Sequence, residues 1–205
     1  MNRRQIERFF SILSRELDLE ARAILTGAAA GALWGSRRPS VDIDFALALR
    51  RRNPKLWQRV ELAVERSSRL TGIPANFAED IDRWGLISLL EYKRHTKTYR
   101  RFGRLRLELM DPAYWSIGKM TRYLESDIRD LEEIFKRRKI PWARLTRLWG
   151  TALKKSPRSA ALFQFRRQIE DFLRKKGQSI WGKAFNAKNA IKAFHRQAGI
   201  SQESL

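Results

Sequence analysis

The stretch from Leu25 to Leu49 reads LTGAAAGALWGSRRPSVDIDFALAL, and its pattern predicts the elements around which the fold is built. An apolar run ends at Gly27 and continues into an alanine-rich segment, Ala28 to Trp34, which favours one or two turns of helix. After turn residues, segment 41–45 alternates apolar and acidic side chains with the period of a strand. The stretch therefore predicts a strand, a glycine turn, a short helix and a second strand.

Two aspartates, Asp42 and Asp44, occupy alternate positions of the second predicted strand. Residues two apart on a strand point to the same side, about 6.5–7 Å apart, while Val41, Ile43 and Phe45 are expected to be buried. Paired carboxylates are ligands for Mg²⁺ or Mn²⁺, and a two-ion site of this kind serves phosphoryl and nucleotidyl transfer. The alternative is an edge strand with acidic residues facing water, although aspartate is depleted in strands.

The charge of the chain is strongly positive. The 205 residues include 43 Lys and Arg against 22 Asp and Glu, which gives a formal net charge of +21. A field of this sign concentrates polyanions around a protein, so nucleic acid is the first partner to consider. The alternative is a solvated basic surface kept for solubility, although solubility is reached with far less net charge.

Composition also excludes several classes of site. The chain has no cysteine, which excludes disulfides, zinc ribbons and thiol catalysis. Its two histidines, His95 and His195, give little support to a multi-histidine metal site or a Ser/His/Asp triad. His195 is expected at the surface or in a groove, without a ligand role. Charges interrupt the apolar run of residues 21–49, and no secretory signal is visible, so a soluble cytoplasmic protein without a membrane partner is expected.

Hydrophobic periodicity predicts the remaining elements. Helices are expected at residues 3–17, Pro54–Leu70 and Pro112–Lys139. Strands are expected at Leu86–Tyr92 and Leu105–Met110, with the basic stretch 93–104 as their connection. An α+β fold follows, with a mixed sheet and flanking helices in residues 1–139 and a basic helical region in residues 140–205.

The second region combines positive charge with aromatic rings. Residues 140–205 contain 14 Lys and Arg against three acids. Aromatic rings could stack on unpaired bases while the cations neutralise phosphates. The rings could equally form the core stripes of helices, and both interpretations stay open for Trp142, Trp149, Phe163, Phe165, Phe172, Trp181, Phe185 and Phe194.

The spacing of a glycine turn before an Asp-x-Asp pair resembles a known enzyme superfamily. It is similar to the nucleotidyltransferases of DNA polymerase beta-like fold, and most similar to bacterial toxin-type members of the AbiEii and MenT kind; the matching residues are Gly27, Arg38, Ser40, Asp42, Ile43 and Asp44. The resemblance implies a nucleotidyltransferase-like sheet in residues 1–139. It also implies transfer of a nucleoside monophosphate from an NTP to an acceptor, with tRNA as the acceptor and an acidic antitoxin as a partner.

The resemblance assigns roles to individual residues. Asp42 and Asp44 would hold Mg²⁺ or Mn²⁺, and the NTP would be bound by Gly27, Ala28, Arg38 and Ser40. The chain departs from the family at Ala28 and Ala29, where the family usually has a second glycine and a Ser or Thr. No hydroxyl is available there to hold a phosphate, so backbone amides would have to suffice.

A lysine followed by Asp-x-x-Asp extends the resemblance to Lys119, Asp127 and Asp130. On one continuous helix, Lys119 and Asp130 would lie about 20° apart and Asp127 about 80° from Lys119, so all three would share a face. The lysine would then stabilise charge on the triphosphate or the leaving pyrophosphate. The alternative is a solvated helix face with ordinary charge pairs.

The third carboxylate that many superfamily members place on a neighbouring strand is not assigned by the pattern. Glu108 is the first candidate and Glu91 the second. Two other functions also remain open. One is a catalytically silent nucleic-acid-binding protein of the same fold, and the other is a nucleotidyltransferase that modifies a partner protein.

Overall fold

The computed structural model describes residues 1–50 and 53–200. Within these ranges the chain is α+β, and it divides into two compact units. The first unit comprises residues 1–81 and 93–111, and the second comprises residues 82–92 and the chain from Pro112 onward. This division differs from the expected boundary at residues 139 and 140, because the helices of residues 112–138 pack with the C-terminal helices.

In the described part of the chain, a mixed sheet and three α-helices form the first unit. The helices are α1 (Arg3–Leu17), α2 (Gly27–Trp34) and α3 (Pro54–Thr71), and the strands are β1 (Ala21–Thr26), β2 (Ile43–Leu49), β3 (Ala75–Ala78), β6 (Thr96–Phe102) and β7 (Leu105–Met110). Among the described residues the sheet has five strands in the order β3-β2-β1-β7-β6. Strand β1 runs antiparallel to β2 and parallel to β7, so the expected mixed sheet is confirmed.

The core of the first unit lies between the sheet and helix α1. Phe9 and Phe10 of α1 are fully buried and meet Phe45 of β2 in edge-to-face contacts, with ring centroids 6.2 and 5.4 Å apart. Such contacts add to the hydrophobic gain from burying the rings. Because side chains alternate along a strand, Asp44 lies on the face opposite Phe45.

The second unit contains five helices and a short two-stranded ladder within the described residues. The helices are α4 (Pro112–Arg122), α5 (Glu125–Arg138), α6 (Trp142–Lys155), α7 (Ala160–Trp181) and α8 (Ala187–Ala198), and the strands are β4 (Arg83–Trp84) and β5 (Ile87–Ser88). Phe135, Trp149 and Phe172 pack against one another at its centre, and the Trp149 indole donates to the Ser116 hydroxyl at 2.9 Å. The core interpretation is therefore confirmed for Trp149 and Phe172, whereas Phe163 is exposed.

The prediction of one continuous helix from Pro112 to Lys139 is wrong. Helix α4 ends at Arg122, and Tyr123 takes the left-handed conformation with φ 54°. The Tyr123 hydroxyl donates to Asp171 of α7 at 2.9 Å, and burial together with this bond raises its pKa. This contact holds Tyr123 out of helical geometry, and α5 can then fold back against α4.

The strands around residues 86–102 also differ from expectation. The predicted strand Leu86–Tyr92 is limited to β5, and residues Tyr92–Arg94 form a short 3-10 helix. Residues 93–104 were expected to be a connection, but β6 occupies most of them. Strand β6 lies at the sheet edge and exposes basic side chains, so it lacks the apolar pattern of a buried strand. Val41 was expected to be buried, but it precedes β2 and is 83% exposed.

Glu132 connects helices α5 and α7 of the second unit. Its lowered pKa predicts that the stability of the protein depends on pH in the acid range. Although burial alone would raise its pKa, hydrogen bonds from Lys136, Lys176 and Ser179 lower it from the ordinary 4.5 to about 2. A carboxyl with a lowered pKa stabilises the folded state above the unfolded pKa, and this contribution is lost as the pH falls through 4.5 towards 2.

We therefore expect Glu132→Gln to be less stable than the wild type at neutral pH, with the difference closing near pH 2. Urea unfolding over a pH series measures this difference. A gap that stays constant down to pH 2 would contradict the assignment.

No helix within residues 1–50 and 53–200 combines the length and the apolar character needed to cross a membrane.

Candidate active site

Asp42 and Asp44 converge on a single side-chain amide in the first unit. The Asn76 Nδ2 group donates to Asp42 Oδ2 at 3.2 Å and to Asp44 Oδ1 at 3.0 Å. Strands β2 and β3 run parallel, with Asp44 directly beside Asn76 in the register. The predicted pair therefore forms one cluster, held by a third residue.

Sequence reasoning missed Asn76, because residues 75–78 were not recognised as a strand. A signal was nevertheless present. Asparagine is depleted in strands, as aspartate is, so a polar amide between Ala75 and Phe77 is the same kind of exception as the aspartate pair.

Gly27 lies in direct contact with the carboxylate of Asp44. A Cβ atom at position 27 would be 2.1 Å from Asp44 Oδ2, far inside van der Waals contact, and Gly27 has φ +62°. Glycine alone satisfies both conditions, because it has no Cβ and adopts left-handed geometry without steric cost. The expected glycine turn therefore joins β1 to α2 at the aspartate pair.

The first turn of α2 follows this contact. Its N-cap residue Thr26 makes no side-chain capping bond, and Ala28 is half-buried. Backbone N–H groups at a helix N-terminus carry partial positive charge and bind anions such as phosphate. Asp44 places a carboxylate beside such groups.

Ser40 and Arg38 shape the turn that leads into the aspartates. The buried Ser40 hydroxyl donates to the main-chain carbonyl of Asp42 at 2.7 Å. The Arg38 main-chain N–H donates to the Ser36 hydroxyl at 3.1 Å. The Ser40 hydroxyl is thus used to fix the backbone at Asp42, while the Arg38 side chain is half-exposed.

The donor atoms of this cluster fit a hard divalent cation. Asp42 and Asp44 offer carboxylate oxygens, which Mg²⁺ and Mn²⁺ prefer. Within the described residues, no group of three or more His, Asp or Glu is arranged around a common ion position. A cation here would therefore be held by two protein carboxylates, and substrate phosphates and water would complete its shell, as Mg²⁺ commonly allows.

The residues Lys119, Asp127 and Asp130 form a buried ion cluster in the second unit. The Lys119 ammonium lies 2.8 Å from Asp127 Oδ1 and 2.8 Å from Asp130 Oδ2, and Arg122 approaches Asp127 Oδ1 at 2.6 Å. Lys119 is 2% exposed and Asp127 is 0% exposed. Although burial alone would raise the pKa of Asp127, the bonds from Arg122 and Lys119 lower it.

The arrangement of helices that forms this cluster differs from the expected one. The three residues do not share a face of one helix, because Lys119 is on α4 and both aspartates are on α5. Packing between the two helices brings them together. In this arrangement the ammonium links α4 to α5, and its contact with a phosphate stays a prediction.

The two candidates for a third carboxylate belong to different units, Glu108 to the first and Glu91 to the second. Glu108 is buried on β7, where it binds Arg22 at 2.6 Å and Arg106 at 2.9 Å and also accepts from the Thr96 hydroxyl. Although burial alone would raise the pKa of Glu108, the bonds from Arg22 and Thr96 lower it. Glu91 is exposed in the second unit.

His195 was expected at the surface or in a groove, and of these two the structure shows a buried side chain that borders a cavity. Its side chain is 8% exposed, and its Nε2 lies 2.7 Å from Glu170 Oε1. Glu170 lies on α7 and His195 on α8, so this contact joins the two helices. A cavity of about 530 Å³ borders it, lined by Arg174, Lys188, Ile191, Lys192, His195, Arg196 and Ile200.

Comparison of the chain with protein-family models, curated proteins and solved structures found no match. The family resemblance therefore rests on the motif residues. The contact of Gly27 with Asp44, and the hydrogen bonds of Asn76 to both aspartates, are observations independent of that resemblance.

Proposed function

We propose that this protein is a metal-dependent nucleotidyltransferase that moves a nucleoside monophosphate from an NTP to a nucleic-acid acceptor, with tRNA as the acceptor. The observation that carries the proposal is the contact of Asp44 with Gly27 at the start of α2, with Asp42 held alongside by Asn76. A phosphate-binding turn and a pair of metal-ligating carboxylates therefore share one position. A nucleotidyltransferase requires this combination.

Each residue of the cluster has a distinct role in the proposed reaction. Asp42 and Asp44 hold Mg²⁺ or Mn²⁺, which supplies charge neutralisation at the phosphates when bound. Gly27 keeps the turn free of a side chain, so that the triphosphate reaches the N–H groups of α2. Asn76 keeps the two carboxylates at a fixed separation, which reduces the cost of bringing like charges together.

The bond changes follow from this arrangement. A hydroxyl oxygen of the acceptor bonds to the α-phosphorus of the NTP and loses its proton to solvent. The bond from the α-phosphorus to the bridging oxygen breaks, and pyrophosphate leaves with the electron pair. Positioning and charge stabilisation supply most of the rate enhancement in such transfers.

The charge of the chain supports a polyanionic acceptor. A net charge of +21 attracts nucleic acid and repels cationic small molecules such as aminoglycosides. The same charge supports an acidic protein partner, as in a toxin and antitoxin pair.

The test uses labelled nucleotides. Total tRNA is incubated with the protein, Mg²⁺ and each labelled NTP in turn, and label in the RNA is measured. We expect transfer by the wild type and a loss of at least about a thousandfold in the Asp42→Asn, Asp44→Asn double variant. The matched control is Glu61→Gln, Glu65→Gln on α3, which removes two exposed carboxylates from the same unit and should transfer label normally.

A second candidate is a catalytically silent nucleic-acid-binding protein. It is favoured by Asn76, an amide at the position beside Asp44 on the neighbouring strand, where a third carboxylate would complete a two-metal site. Ala28 and Ala29 also provide no phosphate-binding hydroxyl. Equal tRNA binding by the wild type and the double variant, with label transferred by neither, would establish this candidate over the first.

A further inference from the structure

Three arginines lie side by side across the sheet of the first unit. Arg22 of β1 is in register with Arg106 of β7, and Arg106 is in register with Arg101 of β6. Neighbouring strands are about 4.8 Å apart, so three cationic side chains leave one face of the sheet in a line. We call Arg22, Arg106 and Arg101 the arginine row.

Two more arginines extend this positive surface. Arg50 follows the end of β2 and Arg104 lies in the turn between β6 and β7, and both line the same cavity of about 340 Å³ as the row. The other residues of its lining are Glu20, Ala21, Ala48 and Leu49. Among the residues that the structure describes, the lining therefore has five guanidinium groups and no aromatic ring.

Local carboxylates neutralise only part of this charge. Glu108 binds Arg22 and Arg106 at 2.6 and 2.9 Å. The same Arg22 Nη2 group also donates to the Lys93 carbonyl at 2.6 Å and to the Thr96 hydroxyl at 3.0 Å, so Arg22 is bound within the unit. Arg50 and Arg104 reach exposed carboxylates only at 3.7 and 4.0 Å. Arg101 forms no ion pair with any described residue. Like charges in register across strands destabilise a sheet, and an anion bound to the row would remove this cost.

We propose that Arg101 and Arg106 of the arginine row, with Arg50 and Arg104, bind consecutive phosphates of the nucleic-acid acceptor; this inference rests on the acceptor class of the proposed function. Guanidinium groups bind phosphate oxygens in bidentate geometry, and a line of them follows a phosphate backbone. The described lining offers guanidinium groups and no aromatic ring, so the proposed contacts are with phosphates and are independent of sequence.

The location of the row separates binding from chemistry. Arg22 pairs with Ala48, whereas Thr26 pairs with Asp44, four residues further along the strand. At about 3.3 Å per residue, the row lies about 13 Å along the sheet from Asp44. Variants of the row therefore change contacts with the acceptor without touching the aspartate pair.

The experiment measures tRNA affinity over a series of salt concentrations in the absence of NTP. The variant is Arg50→Gln, Arg101→Gln, Arg104→Gln, which leaves the Glu108 partners Arg22 and Arg106 in place. The slope of log K against log salt is negative, and each lost phosphate contact reduces its magnitude by about 0.7–0.9. We expect the magnitude of the slope to fall by about 2–3 and the affinity at low salt to fall by about 10- to 100-fold.

The matched control is Arg59→Gln, Arg66→Gln, Arg69→Gln, which removes three exposed arginines from α3 of the same unit. It lowers the net charge equally but should change the slope by less than about 1. Equal effects of both triple variants would overturn the proposal, because only net charge would then matter. Loss of binding to phosphatidylglycerol vesicles with unchanged tRNA binding would overturn it in favour of a lipid surface.

Failure of this inference can be distinguished from failure of the proposed function. The Asp42→Asn, Asp44→Asn variant should keep the wild-type salt slope, since its substitutions lie away from the row. If the salt slope depends on the three arginines but no label is transferred, phosphate binding by the row is supported and the proposed enzyme activity is rejected. If label is transferred but the salt slope is the same with and without these arginines, the proposed enzyme activity is supported and the proposed role of the row is rejected.

Discussion

Replacement of Lys119 by methionine is expected to lower the free energy of unfolding of the second unit by about 3–5 kcal/mol. Methionine matches the length of the lysine stem but removes the cation between Asp127 and Asp130, which are 0% and 2% exposed. Removing Lys119 takes a cation away from both buried carboxylates, with Arg122 still bound to Asp127, and breaking a buried ion cluster costs much more than the intact cluster contributes. Urea unfolding followed by tryptophan fluorescence measures the loss, because the second unit contains Trp149 in its core.

The matched control is Lys175→Met on α7, where an exposed lysine pairs with Asp171 at 2.9 Å. An exposed pair of this kind contributes less than about 0.5 kcal/mol, so the control should unfold almost as the wild type does. Adding Asp130→Asn to Lys119→Met should recover part of the lost stability, since it removes one buried charge. A Lys119→Met protein of wild-type stability that no longer transfers label would instead support the predicted phosphate contact.

Replacement of Gly27 by alanine is expected to lower the rate of nucleotide transfer by about a hundredfold while leaving most of the fold intact. The new methyl group would lie 2.1 Å from Asp44 Oδ2, so the carboxylate must move. A displacement of about 1 Å at a catalytic group costs about a hundredfold in rate. The left-handed φ of +62° adds strain of about 1–3 kcal/mol. Label transfer and thermal unfolding are measured on the same preparation.

The control Gly72→Ala separates the effect of backbone strain from the effect of the contact with Asp44. Gly72 has φ +69°, and a Cβ there would meet nothing within 4 Å. This control therefore carries the backbone strain without the contact, and it should retain normal transfer. The double variant Gly27→Ala, Asp44→Ala should regain stability relative to Gly27→Ala alone, because the clashing carboxylate is gone. If Gly27→Ala and Gly72→Ala transfer label equally, the contact between Gly27 and Asp44 has no part in catalysis.

The prediction succeeded where the pattern was local. Helix α3 and strand β7 were predicted within a residue of their bounds, because apolar side chains recur along each of them at the period of the element. The junction at Gly27 was also predicted, since a glycine between an apolar strand and an alanine-rich helix is a feature of neighbouring residues.

The prediction failed where a distant contact overrides the pattern. The helical period continues through Tyr123, yet the chain leaves the helix there because the Tyr123 hydroxyl binds Asp171, 48 positions away in sequence. Strand β6 is polar because it lies at an edge, and only its pairing with β7 makes it a strand. His195 is buried because Glu170 of another helix provides its partner.

The amino-acid sequence by itself determined the alternation of Asp42 and Asp44, the glycine before α2 and the excess of basic residues, because each is a property of near neighbours or of composition. Tertiary structure alone decided that Asn76 bridges the two aspartates, that Lys119 is enclosed between two helices and that Arg22, Arg106 and Arg101 stand in line. These three arrangements depend on strand register and on helix packing, which join residues far apart in the chain. Hydrophobic burial over the whole unit sets that register, and no local period encodes it.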